Sequence, residues 1–576
     1  MGSFIKSSKS TEKTRQNKSS RTNTPTIAEK STDDPNVDLP TGLKLHVITL
    51  GLGITFFLVS LDNVILSTAI PRITDEFSSI ADVGWYGSAY LLTTCTFQLT
   101  LGKLYSLFSI KLIYLICIII FEAGSVICGA APRSTVLILG RAIAGIGCAG
   151  ILTGTFIIIA IVVPLPKRPA YNGLFGSVYA IASVVGPLLG GAFTDKVTWR
   201  WCFYINLPFG AIALAILFFL FNEPPRPKDK EHKTVVEKIM QVDPMGTLVL
   251  MPAVICLLLV LQWGGTTYPW RDPRVIVLFV VFAILSIAFV LIQIKKGKNA
   301  TLPIKIITQR SVAAACWFSV CTAGSDFTMR QYIPIWFQAI QGVSAVKSGL
   351  MNLALILATA LSSILGGIGT GQVGYYNPFM IASTVLMAVG SGLLTTWKPG
   401  ISEGVWIGFQ VLYGLGSGMD MQIPLIVVQA VLPPEDIPLG TALVMFMQSF
   451  GGAIFISVAQ NIFTNELRTG LAKYLPNINA TAIIHGGATS IREPGVLPPD
   501  AVGPTLQVYS KSITNSWYLA VGLSCASVFG SAFVQWKTVK QSQSPTAVVE
   551  DANLDQRHAK DGGTEIELRE NLSKSV

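Results

Sequence analysis

A chain of 576 residues that is 51% hydrophobic and only 13% charged is not an ordinary soluble domain, whose charged share is about 25%. Its mean hydropathy of +0.55 marks a polytopic membrane protein. The net charge of +10 does not indicate nucleic-acid binding, because the basic residues fall between apolar runs, where they set orientation in a membrane.

Residues 1–43 are rich in Ser, Thr and Lys and lack an apolar core. They are expected to be a disordered cytoplasmic tail, with no cleavable signal peptide. A crossing helix needs about 20 apolar residues. Fourteen segments qualify: 45–67, 85–106, 111–131, 136–162, 172–193, 203–222, 244–263, 274–294, 313–336, 348–370, 375–396, 404–430, 438–462 and 514–536. The predicted organisation is a six-helix half (44–222), a cytoplasmic loop plus two inserted helices (223–310), and a second six-helix half (311–536). The second half includes a long extracellular loop over 463–513, and a polar cytoplasmic tail (537–576) follows. With both termini cytoplasmic, 28 of the 42 Lys and Arg residues fall on the inner side, against 12 outside. That asymmetry supports the orientation. It also places the sequon at Asn479 outside, where it can be glycosylated, and the one at Asn299 inside.

Charges inside a membrane are costly and persist where they have a partner or a watery cavity. Away from the span ends six lie within the membrane: Asp62, Glu122, Arg141, Asp326, Arg330 and Asp420. At about 1.5 Å rise per residue, Asp62 and Arg141 both lie roughly 8 Å from the outer end, and Glu122 roughly 14 Å. One arginine facing two carboxylates can hold a proton-dependent pairing, because protonating a carboxylate releases the cation. Asp62, Arg141 and Glu122 are therefore the proton-coupling candidates, with a permanent structural ion pair as the plainer reading. Asp326 and Arg330, four residues apart, share a helical face and can neutralise each other. These two, with Asp420 and Gln98, are the candidates for a substrate cavity. The polar Gln422, Gln429 and Gln448 are expected to bond helix to helix.

Glycines at 145 and 147 allow close helix approach. Gly186, Pro187, Gly190 and Gly191 make a helix that can bend, because proline removes a backbone bond. All six are hinge candidates. A weak internal repeat relates Gly102–Ser109 to Gly367–Gly374, a trait of paired transporter halves. The nine cysteines form no CxxC pair, and neither a P-loop nor a catalytic triad nor a metal-ligand cluster is discernible. No cofactor and no enzymatic activity are expected.

Four segments together resemble the major facilitator superfamily in its fungal fourteen-span drug:proton antiporter branch. They are Leu61–Ile65 through Pro71, Gly102–Lys111, Arg141-x-x-x-Gly145-x-Gly147-x-Ala149, and Gly186-Pro187-Leu-Leu-Gly190-Gly191 followed by Trp199–Pro208. The resemblance spans about 45–540 and implies an all-α fold of fourteen transmembrane helices. It also implies export of small hydrophobic molecules, a drug or a fungal toxin, in exchange for protons at the plasma membrane, by a monomer. The sequence departs from the family where Ser106 stands in place of an Asp and where Lys111 alone remains of an Arg-rich run, which puts the family's charge-based gating lock in question. A proton-coupled uptake carrier, siderophore-like, and a non-transporting sensor on the same fold are the alternatives.

Overall fold

A computed structural model describes residues 40, 42–79, 82–223, 241–265, 268–297, 300–475 and 497–540. Most of both tails and the two sequon asparagines, Asn299 and Asn479, lie outside the described residues.

Helices stand at all fourteen expected positions. They are α1 Leu43–Phe77, α2 Val83–Leu107, α3 Ile110–Gly129, α4 Ser134–Val162, α5 Arg168–Lys196, α6 Trp201–Leu220 and α7 Pro244–Trp263. Then follow α8 Pro273–Lys296, α9 Arg310–Trp336, α10 Leu353–Val373, α11 Asn377–Leu394, α12 Glu403–Val431, α13 Ile437–Tyr474 and α14 Pro499–Phe533. Among the described residues, 12 helices are long and apolar enough to cross a membrane. The exceptions are α2 and α9. The first carries Thr93, Thr94, Thr96, Gln98 and Lys103, and the second carries Asp326 and Arg330.

Several edges differ from expectation. The 463–513 loop is helical at both ends, because α13 runs to Tyr474 and α14 begins at Pro499. These extensions hold because Leu467 and Leu471 pack into one apolar cluster with Val508, Tyr509 and Ile513. Burial of about 1.5–3 kcal/mol per such side chain outweighs the polar residues between them. α12 is interrupted at Met421–Gln422. Pro424 has no N–H to offer the Asp420 carbonyl, and its ring crowds that oxygen.

The two halves repeat one packing scheme. In the first, α1 packs on α5 and α6, α4 on α2 and α3, and α3 on α6. In the second, α9 packs on α13 and α14, α12 on α10 and α11, and α11 on α14. The halves join through α2 with α13 and α5 with α10, which are equivalent pairs under that correspondence. Both seams close toward the end of the bundle where α1 starts and α14 stops. There Gly102 lies against Ala442, and Gly367 against the Pro169 carbonyl, with no room for a Cβ at either glycine. The inserted helices α7 and α8 pack on each other, and α7 also touches α2 and α13.

Candidate functional site

A cavity of about 130 Å³ lies between the halves. Phe56, Tyr90, Phe156, Tyr179 and Phe327 supply aromatic walls, while Asn63, Gln98, Asp326, Ser417, Asp420 and Gln422 supply polar groups. Aromatic walls with a few polar groups suit a small, partly apolar ligand.

Of the cavity candidates, Gln98, Asp326 and Asp420 line this space. Gln98 is fully buried, and neither end of its carboxamide has a protein partner. Arg330 stands behind the wall. Its Nε donates to Asp326 Oδ2 at 2.5 Å, and its terminal nitrogen donates to Ser417 Oγ at 3.2 Å. Ser417 in turn donates to Asp326 Oδ1 at 2.6 Å. The guanidinium lies 5.9 Å from the centre of the Tyr179 ring. The predicted pairing on one helical face is present, and Ser417 ties it to α12.

Asp420 ends the first segment of α12, at the interruption. Among the described residues it forms no ion pair. The break exposes the Met421 carbonyl, which accepts a hydrogen bond from Gln448 Nε2 of α13 at 3.2 Å. Irregular backbone at membrane depth is tolerated where it lines a cavity and finds such partners. Gln448 was expected to bond helix to helix; it makes such a bond here and also lines the cavity. Pro424, four residues after Asp420, was the sequence signal for the interruption.

The other ion pair is deeper. Arg141 of α4 donates to Asp62 of α1 at 2.5 Å, with both side chains 1% exposed. Arg141 Nε also donates to the Tyr86 carbonyl at 3.0 Å, and its guanidinium sits 4.2 Å from the centre of the Tyr90 ring. Tyr90 and Asn63, the neighbour of Asp62, line the cavity. The pair is thus one side chain away from the cavity space.

Glu122 is placed otherwise. Its carboxylate faces Gly210 of α6, and neither oxygen has a protein partner. Arg141 pairs with one carboxylate, not two, because α3 turns Glu122 toward α6.

The hinge candidates divide. Gly190 packs on α1, where a Cβ would come within 2.7 Å of the Ile65 carbonyl oxygen, and a Cβ on Gly186 would lie 3.2 Å from Val64. Gly145 abuts the Tyr90 carbonyl and Gly147 the backbone of Phe121. Gly191 has open space around it. Pro187 sits inside an unbroken α5.

Trp199 and Arg200 fasten the C-terminal end of α1 to the start of α6. Trp199 Nε1 donates to Glu76 Oε2 at 2.6 Å, and Arg200 lies 2.9 Å from Glu76. The Trp199 bond, helped by Arg200, holds the Glu76 carboxyl below its ordinary range against the opposing effect of partial burial. Among the described residues, no group of three or more His, Cys, Asp or Glu is placed to hold a metal.

The sequence model for the Major Facilitator Superfamily matches residues 52–456. The chain is 50% identical over 511 residues to the MFS-type efflux pump MFS1 of Trichophyton rubrum, covering 88% of this chain and 95% of that one. It is 49% identical over 503 residues to the efflux pump aflT of Aspergillus parasiticus, covering 87% and 97%. It is 47% identical over 499 residues to the efflux pump roqT of Penicillium rubens, covering 87% and 92%. Among solved structures, the proton:xylose symporter XylE with a bound sugar analogue aligns with a TM-score of 0.56 at 14% identity, over 88% of this chain and 99% of that one. The human organic anion transporter MFSD10 aligns with a TM-score of 0.53 at 13% identity, over 83% and 100%. Those two likenesses concern the fold.

Proposed function

The chain belongs to the major facilitator superfamily, a family of multi-pass membrane transporters, and on that premise we propose that it exports small hydrophobic molecules in exchange for protons. The observation that carries this reading is the cavity between two equivalently packed halves, with the buried Asp62–Arg141 pair immediately behind its wall. Relatives near 50% identity that are named efflux pumps support the outward direction.

The halves rock about the cavity, exposing it alternately to the two sides. Protonation of Asp62 neutralises the partner of Arg141, frees the guanidinium and changes how α1 holds α4. In the second half, Asp326 and Asp420 face the substrate, with Arg330 holding Asp326 from behind the wall, and Gln98 offers an unpartnered carboxamide from the first. All fourteen helices span the membrane, with α2 and α9 sheltered in the bundle. The chain works as a monomer in the plasma membrane with both termini cytoplasmic, and protects its cell from a toxic metabolite or drug.

The test is export from proteoliposomes with and without an imposed pH gradient, using rhodamine 6G as a cationic probe and a hydroxyanthraquinone as a neutral one. Gradient-stimulated movement of either probe toward the side opposite the termini is the expected result. Movement that ignores the gradient removes proton coupling. Uptake toward the termini side overturns the export direction.

A further inference from the structure

The insert α7–α8 begins with a buried carboxylate. Asp243 caps α7, is 0% exposed, and holds a left-handed backbone at φ 59°. Such a conformation in a residue other than glycine persists when its surroundings over-determine it. Five donors do so here. They are Gly246 N at 2.9 Å, Gln293 Nε2 at 3.0 Å, Thr301 N at 3.2 Å, Thr301 Oγ1 at 3.1 Å and Lys296 Nζ at 2.7 Å. Burial raises the Asp243 carboxyl, but the Lys296 ammonium and the N–H and hydroxyl donors outweigh it and hold the group ionised below its ordinary range. Gln293 also accepts from Leu302 N at 3.0 Å. The start of α7, the end of α8 and residues 301–302 therefore form one polar knot.

That knot reaches the seam between the halves. Ala300, next to Thr301, is 0% exposed, and its carbonyl accepts a hydrogen bond from Lys103 Nζ of α2 at 2.8 Å. Lys103 is itself buried and follows Gly102, which abuts Ala442 of α13. The loop from Ala300 leads into α9, the first helix of the second half. The Lys103–Ala300 bond thus runs from the first half to the linker of the second. α7 also lies across the same seam. Thr100 of α2 donates to Thr247 at 3.4 Å, and at the far end Trp85 of α2 meets Trp263 with ring centres 6.3 Å apart. Gly265, just beyond α7, abuts Asn461 of α13. Ser106 donates to the Lys103 carbonyl at 2.8 Å within its own helix.

We propose that the α7–α8 insert is the clasp that keeps the α2–α13 seam closed on the side of the termini, with Lys103 and Asp243 as its positioning residues. The proposal rests on the reading of the chain as a transporter whose halves separate alternately on each side. Asp243 makes the insert and its exit loop one rigid piece, and Lys103 fastens α2 to that piece. An ammonium bound to a carbonyl is a suitable release point, because water can replace either partner as the seam opens, whereas the anchored carboxylate stays dry.

The experiment measures the opening directly in full-length protein in lipid nanodiscs. Spin labels are placed at Leu112→Cys of α3 and Pro434→Cys of the α12–α13 turn, both exposed on the termini side. The background is Cys525→Ser, since Cys525 is the exposed native cysteine among the described residues. Wild type is expected to show mainly the short, closed distance. Lys103→Met is expected to raise the ratio of open to closed protein about tenfold or more, since it loses at least the charge-assisted hydrogen bond to the Ala300 carbonyl. Lys103→Arg keeps a donor and is expected to restore most of the closed population. Asp243→Ala should open the seam at least as far as Lys103→Met. Should Asp243→Ala fail to fold, Thr301→Val removes one anchoring hydroxyl without changing shape and is expected to give a smaller shift in the same direction. In proteoliposomes, Lys103→Met should alter the turnover rate of rhodamine 6G export while leaving its KM nearly unchanged. A wild-type distance distribution in both Lys103→Met and Thr301→Val overturns the clasp. Absence of wild-type export would instead overturn the transport reading, and the distances would still judge the clasp.

Discussion

Asp62 of α1 and Arg141 of α4 meet at 2.5 Å while each remains 1% exposed. The pair joins two helices of the first half, and Tyr90 beside it forms part of the cavity wall. Breaking a buried pair by removing one partner strands the other and costs about 3–5 kcal/mol. Arg141→Ala should therefore lower thermal stability in detergent as well as abolish export. Asp62→Asn keeps the side-chain shape but cannot take up and release the proton, so gradient-driven export should fall to background while protein yield falls less. Arg141→Lys retains the charge and loses the bond from Nε to the Tyr86 carbonyl, so partial export is expected. Export at wild-type rate in Asp62→Asn would take that residue out of the mechanism and shift attention to Glu122.

The interruption of α12 makes a second prediction. Gln448→Leu leaves the Met421 carbonyl without its side-chain donor, at a cost of about 1–3 kcal/mol. Pro424→Ala supplies an N–H that can bond the Asp420 carbonyl and straighten the helix. Both variants should transport more slowly, but Gln448→Leu should melt earlier and Pro424→Ala should melt no earlier than wild type. A fall in melting temperature in Pro424→Ala would mean that the break is stabilised by contacts other than those of the proline.

Asp420 makes no ion pair among the described residues and lines the cavity. Asp420→Asn is expected to reduce export of rhodamine 6G about tenfold or more while sparing a neutral hydroxyanthraquinone, since a buried carboxylate attracts a counter-charge strongly at low dielectric. Equal loss of both probes would move Asp420 from substrate selection to coupling.

Neighbouring glycines of α5 should behave differently. A Cβ at Gly190 would lie 2.7 Å from the Ile65 carbonyl oxygen and closer still to Thr68, whereas none of the surroundings of Gly191 comes within 4 Å. Gly190→Ala should push α1 from α5 and cut export several-fold, and Gly191→Ala should be nearly silent. Transport assays at matched expression decide this; equal effects would show that the helix, not its contact with α1, is what the substitutions disturb.

Glu76 links pH to the stability of the C-terminal end of α1. Its folded pKa is depressed, chiefly by the Trp199 bond with Arg200 assisting. A depressed carboxylate contributes stability that is present above its unfolded pKa of about 4.3 and is lost as pH falls through the folded value. Because Glu76 is 44% exposed, the effect is that of a screened surface pair. Melting curves should show a small acid-side loss of stability that shrinks in Trp199→Phe. An unchanged acid limb in that variant would separate Glu76 from it.

The sequence by itself determined which segments are helices and which charges are unusual. Both are local properties: apolar length sets a span, and a charge such as Arg141 within Thr135–Val163 stands out against its own neighbours. It also carried a faint sign of the doubled architecture in the turns at Gly102–Ser109 and Gly367–Gly374. What the tertiary structure decided was partnership. Depth along a helix placed Asp62, Glu122 and Arg141 together, but rotation about the axis turned Glu122 toward Gly210 and left Asp62 with the arginine. Pro424 was visible, yet only packing showed that Gln448 satisfies the opened carbonyl. The helical ends of α13 and α14 depend on one another, so neither segment alone specifies them. Lys103 and Ala300 are 197 residues apart, and no periodicity or composition connects them. Such pairs exist because folding brings buried donors and acceptors to positions where each must find a partner, and that requirement is met in three dimensions, not along the chain.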